Sequence, residues 1–388
     1  MEQHAQAATS DAPIPFQFTG SGGEYFKIWI VNLCLTILTL GIYSAWAKVR
    51  RHRYFYGNTR VAGNAFDYLA NPVSILKGRL LAAAFFIALS VSQHTSPMVY
   101  GVLMLVFLVL LPWVIVRSLT FRARNTAWRN IRYTFDGKYS QAFLNFLLLP
   151  ALPSVLIFVP ALFIQPHNPG SVGRILVPMG IGVLLLMALI PYITYRQKRW
   201  FVEHSGYGRD RFQFEAAVSD FYKIFGVLLL IALAIFGAFV IFGGAAVAGI
   251  AASAGPDGEV SEAGMSTAMA GFGVLYAVSL VLYGFMFAYF KARTTNLVYG
   301  GASIEGHEFE ADLTAWGLFK VYLVNILGIA LTLGLFIPWA KVRTARYMAE
   351  HLHLVPNGDL NQFVGEQQAA VAAVGEEMGE MFDIDIGL

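Results

Sequence analysis

The chain has 388 residues, of which 57% are hydrophobic and 13% charged, with a formal net charge of +3. Soluble domains carry roughly 25% charged residues, so a soluble globular fold is excluded. The single cysteine, Cys34, excludes an intrachain disulfide, an iron–sulfur centre and a multi-cysteine zinc site.

Taken in chain order, residues 1–15 hold no Lys or Arg, carry Pro13 and Pro15, and lack an apolar core. They read as a disordered lead and not as a secretory signal. Apolar runs follow at Ile28–Ala47, Leu80–Val91, Met98–Val116, Ala142–Ile164, Ile175–Thr194, Ile224–Ala252, Ala268–Phe290 and Val321–Ala340. A span needs about 20 mostly apolar residues, and core helices of a soluble protein would show polar faces between such runs.

The middle six runs form three pairs. The connectors within pairs, Ser92–Pro97, Gln165–Arg174 and Ser253–Ser266, hold one basic residue, Arg174. The segments between pairs are crowded with Lys and Arg, as at Lys48-Arg50-Arg51-Arg53, Arg117-Arg122-Arg124, Arg196-Lys198-Arg199 and Lys291-Arg293. The positive-inside rule places these segments in the cytoplasm, giving three hairpins that enter and leave from that side. Each basic helix end then runs into a short stretch of strand character, with Gly63-Asn64 and Gly300-Gly301 as expected turns.

Internal repetition organises the chain. "FQFTGSGGEYFKIW" (Phe16–Trp29) and "FQFEAAVSDFYKIF" (Phe212–Phe225) share Phe-Gln-Phe, an acid and Lys-Ile at one spacing. "LTLGIYSAWAKVRRHRY" (Leu38–Tyr54) returns as "LTLGLFIPWAKVRTARY" (Leu331–Tyr347), identical at 11 of 17 positions. The first and last apolar runs pose a conflict. Their length favours a single span, because roughly twenty residues folded double reach only about 15 Å. Their basic ends favour a re-entrant dip with both chain termini in the cytoplasm. Gly41 and Gly334 lie where a turn would fall.

These two stretches, the Phe-Gln-Phe segments, the "RYFYGNT" continuation and the acidic tail "GEEMGEMFDIDIGL" resemble the YjgN family over almost the whole chain. The resemblance implies a polytopic protein of the bacterial inner membrane, with no established activity, substrate or cofactor. One internal departure stands out: Ala45 occupies the place of Pro338, so a proline-dependent kink applies to one copy only.

The expected fold is an all-α polytopic membrane bundle with internal repeats, three transmembrane hairpins, two terminal segments that span or re-enter, and short cytoplasmic β-hairpins. Its expected divisions are the lead 1–15, a transmembrane domain 16–363 and an acidic cytoplasmic tail 364–388. Trp46, Lys48, Arg50, Arg53 and Tyr54, matched by Trp339, Lys341, Arg343, Arg346 and Tyr347, form two constellations suited to an interfacial belt or to an anionic lipid headgroup. Asn32 and Asn325 are the candidate intramembrane polar contacts, either hydrogen-bonding glue between helices or a substrate contact.

No Asp, Glu or His falls in the middle of an apolar run, which disfavours a proton-coupled carrier. No Walker loop, catalytic set or spaced metal-ligand set is present. His351-x-His353 beside Glu350 fits strand alternation as readily as a metal site. The expectation is therefore a non-catalytic scaffold or lipid-headgroup-binding protein without cofactor or metal, whose partners are anionic lipids and not nucleic acid. A transporter or channel-like protein for a small or lipidic molecule is the alternative.

Overall fold

The structure, a computed structural model, describes residues 12–160, 169–253 and 261–384. Six helices are long and apolar enough to cross a membrane: Pro72–Thr95 (α3), Pro97–Arg124 (α4), Tyr139–Phe158, Ile175–Glu203 within α7 (Pro169–Glu203), Val218–Ala252 (α8) and Glu262–Gly300 (α9). The third of these is α5 (Tyr139–Phe143), a π-helical turn over Leu144–Leu148 and α6 (Leu149–Phe158) run together.

The connecting strands form two antiparallel sheets instead of separate hairpins. The strands are β1 (Ile14–Pro15), β2 (Gln17–Phe18), β3 (Thr59–Val61), β4 (Asn64–Tyr68), β5 (Thr126–Trp128), β6 (Ile131–Phe135), β7 (Ser205–Tyr207), β8 (Asp210–Arg211), β9 (Gln213–Phe214), β10 (Ala302–Ile304), β11 (His307–Ala311) and β12 (Leu352–Val355). One sheet has the order β1-β12-β11-β10-β9, the other β2-β3-β4-β5-β6-β7-β8. β1 and β2 are pieces of one strand split at Phe16, and β8 and β9 are pieces split at Phe212. Each split strand belongs to both sheets, so the sheets meet at two corners and close into a ring. Closure leaves no edge unpaired, which is how strands of two to five residues become stable. The two Phe-Gln-Phe segments are these corners.

Between successive strands the chain leaves the ring five times through a pair of helices and returns: between β2 and β3, β4 and β5, β6 and β7, β9 and β10, and β11 and β12. The first excursion is α1 (Gly22–Leu38) and α2 (Ser44–Gly57); the last is α10 (Ala315–Leu331) and α11 (Ile337–Glu350). The helices stand side by side in chain order round the ring, and α11 packs back on α1. The opposite end of the ring carries tight turns, with positive φ at Ala62-Gly63, Arg129-Asn130, Gly208 and Glu305-Gly306. Gly300 and Gly301, expected to turn a hairpin, instead end α9.

The first and last apolar runs therefore each continue into a second helix that returns to the ring. Each hairpin is longer than a twenty-residue dip because the basic stretch is its return arm. The tips match bond for bond: Gly41 and Gly334 take φ of +91° and +94°, and their N–H groups reach Thr36 O and Ile329 O at 2.8 Å. The Thr39 and Thr332 hydroxyls accept the N–H of Tyr43 and Phe336 at 2.9 Å. Satisfying the turn internally is what lets backbone reverse in apolar surroundings.

Val61, Trp128, Ile131, Tyr207, Ile304 and Leu354 fill the ring, and Val364 closes it from the turn end. Val364 belongs to α12 (Leu360–Ile384), so the division expected at 363/364 falls inside a helix. Strand β1 likewise lies within the lead drawn at 1–15; residues 1–11 and 385–388 lie outside the described residues. Gln367 of α12 accepts the Arg209 N–H at 2.9 Å and donates to Asp210. A Cβ at Gly208 would collide with its side chain.

His307 is buried beneath this plug, its ring 4.8 Å from that of Phe363, and its Nδ1 accepts the Asn357 N–H at 2.9 Å. Burial pushes its pKa down, against a smaller upward pull from Glu305. A histidine held below its unfolded value of about 6.5 stabilises the fold fully above that pH, and the contribution is lost as pH falls further. The protection of amides across 360–368, corrected for the slower intrinsic exchange at lower pH, should fall when pH drops from about 7 to about 5, and His307→Gln should flatten that dependence.

Candidate functional site

α2 and α11 bring the two basic constellations together in different ways on their different sides. Residues at 46 and 53 share one side of α2, while 48 and 51 share the opposite side, because successive residues turn by about 100°. The same division holds for 339 and 346 against 341 and 344 on α11.

One side is occupied by protein. Arg53 Nε donates to Tyr68 O at 3.3 Å, and Arg346 Nη2 donates to Gly20 O at 3.1 Å. Both bonds cross to the chain leading into the next helix pair round the ring. Trp339 packs on Phe26 of α1, ring centroids 5.1 Å apart, whereas Trp46 packs on Tyr43 and beside the cluster of Ala45, Val49 and Ile75. Tyr54 OH accepts the Ser21 N–H at 2.8 Å, and Tyr347 OH lies 3.3 Å from Thr314 Oγ1. Ser21 and Thr314 are the N-caps of α1 and α10, so each tyrosine ties the return arm to the start of its own hairpin. Arg53, Arg346, Tyr54 and Tyr347, expected against phosphates, are thus engaged by the protein itself.

The amides hold the arms together at mid-height. Asn32 is buried, and its Oδ1 accepts from Arg50 Nη1 at 3.4 Å. Asn325 is buried too, but its Nδ2 donates to Ala340 O at 3.2 Å and Thr344 Oγ1 at 3.0 Å. Arg343, the counterpart of Arg50, is exposed as Arg50 is, and does not reach Asn325.

The other side gathers cations. Lys48 has Arg51, Arg79 and Arg122 as its electrostatic neighbours, and Lys341 has Arg51. Among the described residues the ion pairs are Arg199–Glu203, Arg211–Asp136 and Lys223–Asp220, and none involves these groups. Arg122 of α4 lies near Tyr56 of α2 and Tyr299 of α9. Those helices are not neighbours round the ring, so their side chains meet inside it. Tyr133 of β6 lies above them, and burial raises its hydroxyl pKa.

Arg51, Arg79 and Arg122 are the site residues that sequence reasoning missed. The signal for Arg51 was its three-residue spacing from Lys48; Arg79 and Arg122 carry no signal short of the fold. A second polar node was missed as well. Asn145, in the π turn, accepts from Arg196 Nε at 3.2 Å and takes Gln197 Nε2 on its carbonyl at 3.1 Å. Five residues on stands Pro150, which has no N–H to offer that carbonyl. No group of three or more His, Cys, Asp or Glu able to hold a metal occurs among the described residues.

A family described as "Bacterial protein of unknown function (DUF898)" matches residues 13–381. The inner membrane protein YjgN of Salmonella typhimurium (strain LT2) is 26% identical over 361 residues, covering 89% of this chain and 88% of that protein. The proteins of the same name from Escherichia coli O157:H7 and K12 are 27% and 28% identical over 224 residues, 56% of either chain. No solved structure matches significantly.

Tyr54→Phe and Tyr347→Phe remove the hydroxyls that tie each return arm to its N-cap. Each should lower stability by about 1 kcal/mol in thermal unfolding of the purified protein. A headgroup role alone would leave the lipid-free protein unchanged.

Proposed function

The chain belongs to the DUF898 family of bacterial proteins, and on that footing we propose that it is a multi-pass inner-membrane protein that binds acidic headgroups without catalysing a reaction. The ring of strands and both ends of the chain lie in the cytoplasm, and the helix pairs enter the bilayer from that side, the first and last as re-entrant hairpins. The continuity of the fold supports this topology: every helix pair starts and finishes on the ring. With three full-length pairs and two short ones, the basic helix ends of all five fall on one side, as the charge rule requires.

The observation that carries the binding role is the cation group of Lys48, Arg51 and Lys341, set on the inward side of matched hairpins and without an ion pair among the described residues. Uncompensated cations at membrane depth are costly, and phosphate oxygens are the acceptors a bilayer supplies. A passage along the ring axis is less favoured. The strands enclose a cavity of only about 50 Å³, lined by Phe16, Trp128, Tyr133 and Phe309 and closed by Phe363.

Two measurements test the proposal. With Cys34 replaced and single cysteines at Thr95 or Asn357, an impermeant thiol reagent on intact cells should label Thr95 and spare Asn357. In native mass spectrometry, wild-type protein should retain acidic phospholipid, and the Lys48→Ala, Lys341→Ala pair should retain several-fold less. Labelling at Asn357, or unchanged lipid retention, would overturn the corresponding half.

A further inference from the structure

Helix length is uneven round the ring. α10, α11, α1 and α2 have 17, 14, 17 and 14 residues, and they stand side by side because α11 packs on α1. At 1.5 Å per residue they rise about 21–25 Å from the ring, while the flanking α3 and α9 rise about 36 and 58 Å. The wall of helices therefore has a notch four helices wide above the two short hairpins.

The notch is lined mainly by apolar side chains. Its floor is the pair of hairpin tips, where Leu40 and Leu333 are each 95% exposed. On the α9 flank Val274 and Val278 are exposed, and on the α3 flank Ile87 and Val91. Each pair shares a helix face by its spacing. Among the described residues nothing covers these surfaces. Below the floor, about 10 Å down the return arms, lie Lys48, Arg51 and Lys341 on the inward side.

An apolar trough with cations at its foot matches one kind of molecule in the surroundings. The geometry points to a lateral lipid site: an acidic phospholipid of the bilayer lies with its acyl chains over the Leu40 and Leu333 tips, between α3 and α9, and its phosphate against Lys48, Arg51 and Lys341. The orientation is that of a lipid from the leaflet facing the ring, with its headgroup toward the strands. This assignment rests on the headgroup reading above and adds the route, the seat of the chains and the class of ligand. The matched tips have a purpose in it. They hold a smooth hydrocarbon floor at one height across both hairpins, a task for which sequence identity through Leu38–Gly41 and Leu331–Gly334 suffices.

Photo-crosslinking in vesicles of equal phosphatidylglycerol and phosphatidylcholine tests the site. p-Benzoylphenylalanine is placed at Leu333, at Val278, or at the exposed Phe236 of α8, away from the notch. Adducts at Leu333 and Val278 should be enriched in phosphatidylglycerol by about fivefold, the effect of one cation near the surface, and adducts at Phe236 should follow the bulk ratio. Lys48→Gln, Arg51→Gln and Lys341→Gln together should return the notch positions to the bulk ratio while leaving lipid adducts in place. Bulk ratios in the wild type, enrichment that survives the triple variant, or adducts to a second protein chain would overturn the notch site. If acidic lipid is still retained in a Lys48- and Lys341-dependent way while the notch shows no enrichment, the notch fails and headgroup binding stands. If retention fails too, both fall.

Discussion

Closure of the strand ring is the constraint on which the rest of the structure depends. A backbone N–H or C=O left unpaired at a buried edge costs about as much as a lost hydrogen bond, and strands this short have no other means of support. Phe16 and Phe212 let one strand serve two sheets, and that sharing closes the ring. Once it is closed and antiparallel, the helix pairs must emerge at one end and the tight turns at the other. The turn end then needs a lid, and Val364, Phe363 and Leu360 of α12 supply one.

The same constraint decides what the basic stretches can be. A stretch rich in Lys and Arg reads in isolation as a loop beside the membrane. Here it is the return arm of a hairpin, and a helix has sides. The side bearing Arg53 and Arg346 is spent on carbonyls of the next passage, and Tyr54 and Tyr347 on their own N-caps. The side bearing Lys48, Arg51 and Lys341 makes no ion pair among the described residues, and Arg343 is exposed. A ten-residue constellation thus divides by helical geometry into a structural part and a part able to bind.

The long apolar runs were legible because period does not matter when every face is apolar; six of them became helices of spanning length. The Phe-Gln-Phe pair was legible as a repeat, but its meaning was not. A corner strand is defined by partners such as Thr59 and His353, which lie 41 residues or more away and leave no mark on the local pattern. The reach of the terminal runs was underestimated because the basic residues were counted outside the hairpin. Gly41 and Gly334 did mark the turns, since only glycine adopts φ near +90° without strain. The Asn32–Arg50 bond could not be read because the two residues are brought together by a tip whose position was undecided.

Near-identity of the two hairpins does not extend to their interiors. Arg51 is replaced by Thr344, and the matching amides bond differently. Asn32 faces Arg50 and accepts from it. Asn325 instead turns its Nδ2 toward Thr344 and Ala340, leaving its buried Oδ1 without a partner. An unmatched buried acceptor costs about 1–3 kcal/mol, so this arrangement must be held by something else. Pro338 is fully buried at the first turn of α11, where Ala45 stands in α2. A proline there fixes φ and loses no helical hydrogen bond, so α11 starts in a set direction without help from its amide. Rigid at the start and under-bonded in the middle, the last hairpin differs from the first in the one feature that a repeat would be expected to keep.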